Sequence, residues 1–171
     1  ITQGGAGVLS FGMAEFIAQE EMDRSTGYWW SPDETKLAYT RVDESPVDEV
    51  ERFEIYAETV EVIRQRYPAA GRANAKVDLF VATLTNRGIE ARELSAASAG
   101  DGYLARVNWL PDSQSLAVQR QARDQQFLEL LRIDVATGTA KRLLEERSET
   151  WIDLYEELTL LKSRSAFIWA S

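Results

Sequence analysis

The chain has 171 residues, of which 44% are hydrophobic, so it is long and apolar enough to form a folded domain with a core. Its formal net charge is −9, which argues against nucleic acid as a partner, because phosphate contacts need clustered Lys and Arg side chains. The sequence contains neither Cys nor His, so this chain alone cannot supply a disulfide, a thiolate, a zinc site of the usual kind or a Ser-His-Asp triad.

The sequence has no apolar run long enough to span a membrane as a helix. Its first residues lack the basic region that opens a signal peptide. The chain starts without Met and stops within a strand-like pattern, so we expect it to be a piece of a longer protein.

Two different patterns occupy the beginning of the chain. Residues 1–9 have the character of the end of a strand unit, whereas residues 11–24 interrupt the strand rhythm. The stretch MAEFIAQEEMDR is rich in good helix formers, and its apolar residues are Met13, Phe16, Ile17 and Met22. We therefore predict a short helix or helical turn over residues 11–24, inserted between strands and carrying the adjacent carboxylates Glu20 and Glu21.

A ten-residue motif occurs twice. WSPDETKLAY begins at Trp30 and WLPDSQSLAV begins at Trp109, and their Trp, Pro, Asp, Leu and Ala residues align. Pro and Asp favour a turn, and the following Leu-Ala is typical of entry into a buried strand. A degraded third copy, LLKSRSAFIW, occupies residues 160–169 and keeps only the strand entry. The repeat predicts similar strand units in succession along the chain.

Further strands follow within each unit. FLELLRID and VATGTAKRLL follow the second motif, and VDLFVATL and TNRGIEARELS occupy the corresponding place in the first unit. Each unit thus resembles a four-stranded antiparallel propeller blade. We predict an all-β fold, a β-propeller fragment of about three blades with the short helical insert. Residues 1–9 would end one blade, 28–99 and 103–146 would form two more, and 151–171 would start the next.

The first unit contains extra residues between its strands. The excess lies between Thr40 and Lys76, and its apolar residues follow neither a helical nor a strand period cleanly. Part of it fits a short helix, but two strands that form an extended arm over residues 45–70 fit better. An arm that leaves its blade needs a packing surface, and a partner subunit or partner domain is the natural candidate.

Two separate stretches resemble one protein family. EFIAQEEMDRSTGYWWSPDETKLAYTRVDESPV resembles the double-glutamate segment of dipeptidyl peptidase IV in its bacterial form. RYPAAGRANAKVDLFVATL resembles the segment that follows the blade extension in the same family. The resemblance implies a serine peptidase of the prolyl oligopeptidase family, with an eight-bladed propeller followed by an α/β-hydrolase domain. Such an enzyme releases Xaa-Pro or Xaa-Ala dipeptides from peptide N-termini, and this chain would be an inactive part of its propeller.

The resemblance also implies roles for particular residues and partners. Glu20 and Glu21 would hold the free α-ammonium of the substrate, and no catalytic residue, metal or cofactor is expected in this chain. The expected partners are peptides with a free N-terminus, the α/β-hydrolase domain of the same chain, and a second subunit contacted through the arm. Bacterial relatives are usually periplasmic or associated with the cell envelope, so that localisation is expected here.

Alternatives to this interpretation remain at each level. Glu20 and Glu21 would be solvated helix surface in a protein without the flanking signature. The parent protein could instead be a tripeptidyl peptidase, an acyl-peptide hydrolase, or a non-catalytic propeller that binds other proteins. The pairs Glu145-Glu146 and Glu156-Glu157 lack the flanking signature, and we predict no ligand role for them.

Overall fold

Antiparallel strands dominate this computed structural model, which describes residues 2–155, 158–161 and 166–170. The elements of the first half are β1 (Leu9–Phe11), α1 (Phe16–Glu21), β2 (Tyr28–Trp30), β3 (Lys36–Asp43), β4 (Glu49–Ile55), β5 (Val60–Arg66), β6 (Lys76–Thr85) and β7 (Gly88–Glu93). A short 3-10 turn, Ser95–Ala97, leads to β8 (Tyr103–Trp109), β9 (Ser115–Gln121), β10 (Phe127–Asp134), β11 (Ala140–Arg147), β12 (Thr159–Leu160) and β13 (Phe167–Ile168). The predicted all-β fold with a short helical insert is confirmed.

The first sheet contains a split edge strand. Its order is β1-β3-β6-β7, and β2 also pairs with β3, so β1 and β2 share one edge position. Leu9 pairs with Asp43 and Trp30 pairs with Leu37, at opposite ends of β3. Leu9, expected from the sequence at the end of an earlier blade, therefore lies in this sheet. Residues 12–27, here called the helical excursion, interrupt the edge strand between β1 and β2.

The second sheet is a four-stranded meander in the order β11-β10-β9-β8. Its β9 is buried along nearly its whole length, as expected for an inner strand covered on both faces. One face packs against the first sheet in a core of aliphatic side chains: Ala38, Leu79, Val81, Leu94, Ala97, Leu104, Val107, Leu116, Val118, Leu131, Ile133 and Val135. The repeated units therefore stack face to face, because a single unit could not bury its apolar face alone.

The repeated Pro-Asp turns have the predicted chemistry. The Asp33 carboxylate accepts a hydrogen bond from the backbone N–H of Thr35 at 3.1 Å. The equivalent Asp112 carboxylate accepts bonds from the N–H groups of Gln114 and Ser115, each at 2.9 Å. In each unit the aspartate thus fixes the turn that precedes a buried strand.

The extra residues of the first unit form a separate antiparallel hairpin of β4 and β5. This agrees with the strand interpretation of the extended arm. Large apolar side chains on the hairpin are exposed, and Ile55 shows 79% of its surface. Charged pairs such as Arg64–Glu51 lie on the same hairpin.

The last residues form a two-stranded sheet in which β12 pairs with β13. Phe167 and Ile168, predicted as the strand entry of a third unit, lie in β13. Residues 156, 157, 162–165 and 171 lie outside the described part of the chain, so the predicted start of a third blade at 151–171 is described only in part. Within the described ranges, no helix combines the length and apolar character needed to cross a membrane.

Candidate functional site

The helical excursion leaves the first sheet through a narrow stem. The Gly12 N–H donates to the Thr40 carbonyl at 2.8 Å, and the Thr40 N–H donates to the Gly27 carbonyl at 2.8 Å. The Gly27 N–H also donates to the Gly12 carbonyl at 3.2 Å, and Met13 and Thr26 form the next antiparallel bridge. The excursion therefore begins and ends on a single residue of β3, Thr40.

The stem has no room for a side chain at Gly27. A Cβ atom there would overlap Thr40 Oγ1 and the Met13 carbonyl oxygen, and would lie 2.6 Å from the Met13 carbonyl carbon. Thr40, which is fully buried, uses that hydroxyl to donate to the Met13 carbonyl at 2.7 Å. Glycine at position 27 is thus what allows the two arms of the stem to approach each other.

Helix α1 is too short to be stable by itself. It spans six residues and has no side-chain N-cap and no basic residue in its last turn. Its position comes from tertiary contacts, because Ala18 is fully buried and Met22 nearly so. The Phe16 ring also meets the Tyr67 ring edge-on at a centroid distance of 5.2 Å. The helix is therefore held by its surroundings.

A buried ion pair closes the excursion. Glu15 precedes the helix and Arg24 follows it, and their side chains meet at 2.8 Å with only 6% of each exposed. The Arg24 guanidinium also donates to the carbonyls of Thr26 at 3.0 Å and Leu104 at 3.2 Å. Its backbone N–H donates to the Ala18 carbonyl at 2.9 Å, next to Asp23 at φ 53°. The two ends of the helical segment are thus joined beneath it.

Glu20 and Glu21 are the last two residues of α1, and both are exposed. Within residues 2–155, 158–161 and 166–170, neither carboxylate has a hydrogen bond or an ion pair. Glu21 lines an open groove of about 390 Å³, together with Tyr103 of β8 and Arg123 after β9. Glu20 does not line this groove. Two anions at a helix C-terminus oppose the helix dipole, so the arrangement is locally unfavourable and would be relieved by a cation.

The other glutamate pairs offer a contrast. Glu145 is paired with both Arg142 at 2.5 Å and Arg147 at 2.7 Å. Glu146 accepts a hydrogen bond from the indole N–H of Trp169 at 2.5 Å. Glu156 and Glu157 lie outside the described residues. In the described part of the chain, Glu20 and Glu21 therefore differ from Glu145 and Glu146 in having carboxylates without a protein partner.

The sequence predicts a role for the glutamate pair, but Glu15 and Arg24 are not predictable from it as buried partners. Charged residues are rarely buried, so nothing in the local pattern separates these two from surface charges. The available signal is that the two residues flank α1, one before it and one after it. That spacing lets an acid and a base meet once the chain reverses direction.

The stacked meanders, the extended hairpin and the helical excursion define a segment of a β-propeller. A family model described as the dipeptidyl peptidase IV (DPP IV) N-terminal region matches residues 1–171, and the chain belongs to this family. The resemblance found in the sequence is thus confirmed. The crystal structure of Porphyromonas gingivalis dipeptidyl peptidase 4 is similar, with a TM-score of 0.78 and 25% identity, over 90% of this chain and 22% of that one.

The curated relatives include proteins named as dipeptidyl peptidases and proteins named as inactive members. The chain is 26% identical to dipeptidyl peptidase 4 of Sus scrofa, over 87% of this chain and 22% of that protein. It is 28% identical to the inactive dipeptidyl peptidase 10 of Rattus norvegicus, over 91% of this chain and 20% of that protein. The chain therefore spans about a fifth of the length of the curated relatives it matches.

Proposed function

We propose that this chain is the substrate-gating, N-terminus-binding part of a serine exopeptidase that releases Xaa-Pro or Xaa-Ala dipeptides. In this proposal Glu20 and Glu21 bind the α-ammonium of the peptide, and the catalytic Ser and His belong to an α/β-hydrolase domain of the same parent protein. The observation that carries the proposal is a pair of adjacent carboxylates that have no partner among the described residues and lie on a helix held in place by buried contacts.

An α-ammonium suits this arrangement chemically. It is compact and donates three hydrogen bonds, and bonds between ions of opposite charge are short and strong. A cation would relieve the repulsion between the carboxylates and their conflict with the helix dipole. An acetylated N-terminus has no charge to offer, so the site would select peptides with a free amine.

The place of the pair at the end of α1 supports joint binding of one ligand. Adjacent residues on a helix point about 100° apart and do not share a face. At the last turn, however, both side chains can turn toward a group that lies beyond the helix end. Held at a fixed distance from a nucleophile, the pair would act as a ruler for dipeptide length.

A non-catalytic propeller is the second candidate, and the similarity to an inactive dipeptidyl peptidase favours it. In that case the same carboxylates would bind N-termini without hydrolysis. The tripeptidyl peptidase and acyl-peptide hydrolase alternatives differ in their expected substrates. A tripeptidyl peptidase would need a longer space beyond the pair, and an acyl-peptide hydrolase would accept a blocked N-terminus.

The β4–β5 arm supports a further part of the proposal, a homodimer. Its exposed apolar side chains include Phe53, Ile55, Val60 and Val62. Apolar surface of this kind is costly in water and is typical of a contact surface. A periplasmic or envelope location completes the proposal and rests on the family resemblance alone.

The test uses the full-length protein that contains this chain, with chromogenic Gly-Pro and Ala-Ala substrates, each free and N-acetylated. Glu20→Gln and Glu21→Gln should each lower kcat/KM on free substrates about 10- to 100-fold, because a hydrogen bond to a charged group contributes about 1.5–3 kcal/mol. Glu145→Gln is the matched control and should stay within about twofold, because exposed ion pairs contribute little. Equal cleavage of the acetylated substrates, or unchanged kinetics in both pair variants, would refute the proposal.

A further inference from the structure

We propose that Arg24, held by Glu15, is a positioning residue for the glutamate pair; this inference rests on the proposed function. The guanidinium is buried and makes contacts with three separate parts of the structure. It pairs with Glu15 at the start of the excursion, donates to Thr26 in the stem, and donates to Leu104 in β8. In the sequence, Glu20 and Glu21 lie between Glu15 and Arg24, the two residues of the ion pair.

These contacts add to the packing of Ala18, Met22 and Phe16 in fixing the orientation of a short helix. Six residues form little more than one helical turn, and α1 has no side-chain cap. The Arg24 guanidinium compensates for the missing cap by joining both ends of the segment to the second sheet. Because Leu104 belongs to the second sheet and Thr26 to the stem of the first, Arg24 also fixes the helix relative to both.

Charge balance supports the same role. Arg24 is the only cationic residue from Met13 to Arg24, a stretch that also contains Glu15, Glu20, Glu21 and Asp23. Its guanidinium donates hydrogen bonds to Glu15 and to two carbonyls, and it forms no ion pair with Glu20 or Glu21 in the described part of the chain. The pair keeps its negative charge for a ligand.

Stability alone is a weak reason for this pair. Two buried ions lose their hydration, and replacing such a pair by apolar residues is often neutral or stabilising. Arg24 Nε is also buried and has no hydrogen-bond partner in the described part of the chain. A contact with these costs is better explained by the geometry it enforces than by the energy it contributes.

The experiment measures the ratio of kcat/KM on free Gly-Pro substrate to that on its N-acetylated form, in the full-length protein. This ratio does not depend on how much enzyme is correctly folded, since both substrates report on the same active molecules. Arg24→Met and Glu15→Gln should each lower the ratio at least tenfold, mainly through a higher KM for the free substrate. Arg24→Lys keeps the charge and should recover part of the loss.

Arg120→Met is the matched control. Arg120 likewise pairs with a carboxylate, that of Glu129, and donates to the carbonyls of Ala96 and Ser98, but it lies on β9. Its loss should lower the amount of active enzyme and leave the ratio unchanged. If Arg24→Met fails to accumulate, Glu15→Gln tests the same contact with a side chain of equal size.

Glu20→Gln and Glu21→Gln provide the reference. If they lower the ratio while Arg24→Met and Glu15→Gln behave like Arg120→Met, the positioning role is overturned and the proposed function stands. If the reference variants also leave the ratio unchanged, both inferences fail. The positioning role is supported if the ratio falls in the reference variants and also in Arg24→Met and Glu15→Gln. In that case the ratio of Arg120→Met stays unchanged.

Discussion

Replacing Gly27 by Ala should open the stem that supports the helical excursion. The added Cβ would lie 2.6 Å from the Met13 carbonyl carbon, whereas carbon atoms prefer about 3.5–4.0 Å. The stem must then widen by about 1 Å, because the obstructing atoms belong largely to the backbone. Overpacking of this kind costs about 1–3 kcal/mol, and losing the Thr40–Met13 hydrogen bond adds about 1 kcal/mol.

Native-state hydrogen exchange is the appropriate assay, because it measures local opening within a large protein. A loss of about 2–4 kcal/mol corresponds to exchange faster by about 30- to 1000-fold at the amides of Gly12, Gly27 and Thr40. Peptides that cover residues 12–27 and 36–43 should show the change, and peptides from the second sheet should not. Under the proposed function, the selectivity of the full-length protein for free-amine substrates should fall in parallel.

Gly5→Ala is the control, because the nearest atom to its added Cβ is in the Phe11 ring at 3.4 Å, an ordinary contact. Its exchange should match the unsubstituted protein. Exchange within about twofold of the original protein in Gly27→Ala would refute the reasoning. It would show that the stem does not control the stability of the excursion.

Three further outcomes are expected. Hydrogen bonds from Ser31 and Thr35 lower the pKa of Asp33 from 3.8 to about 2, so the stability it contributes is fully present above pH 3.8 and is lost as pH falls through 2; a carboxyl titration midpoint of 3.8 by NMR would contradict this. Gln119→Leu should raise the free energy of unfolding in urea by about 1–3 kcal/mol, because this buried amide has no partner among the described residues, and a loss of stability would contradict it. Ile55→Glu should convert the proposed dimer of the full-length protein to a monomer in light scattering, and an unchanged mass would exclude the arm as the contact.

Much of the fold is predictable from the sequence because its signals are local. The Pro-Asp motifs, with Asp33 and Asp112 at equivalent places, mark the turns, and the strands that follow are largely buried, as the Leu-Ala entries predict. The hairpin arm is predictable as the part of the first unit that has no counterpart in the second. Family resemblance then identifies Glu20 and Glu21 among several glutamate pairs.

The features that are not predictable from the sequence depend on contacts between distant residues. The assignment of Leu9 to an earlier blade failed to anticipate that β3 pairs with the chain on both sides of the excursion. Glu15 and Arg24 are both buried, and Arg24 donates to the carbonyl of Leu104, a residue of another sheet. Neither arrangement leaves a local periodicity, so tertiary structure was needed to find them.

The closure of the excursion on Thr40 uncouples its length from the register of the surrounding strands. Residues can be gained or lost between Gly12 and Gly27 without shifting any pair along β3. Evolution can therefore change the length and composition of this segment while the sheet beneath it stays constant. Because changes in this segment do not shift the strand register, it is also a practical place for inserting designed sequences.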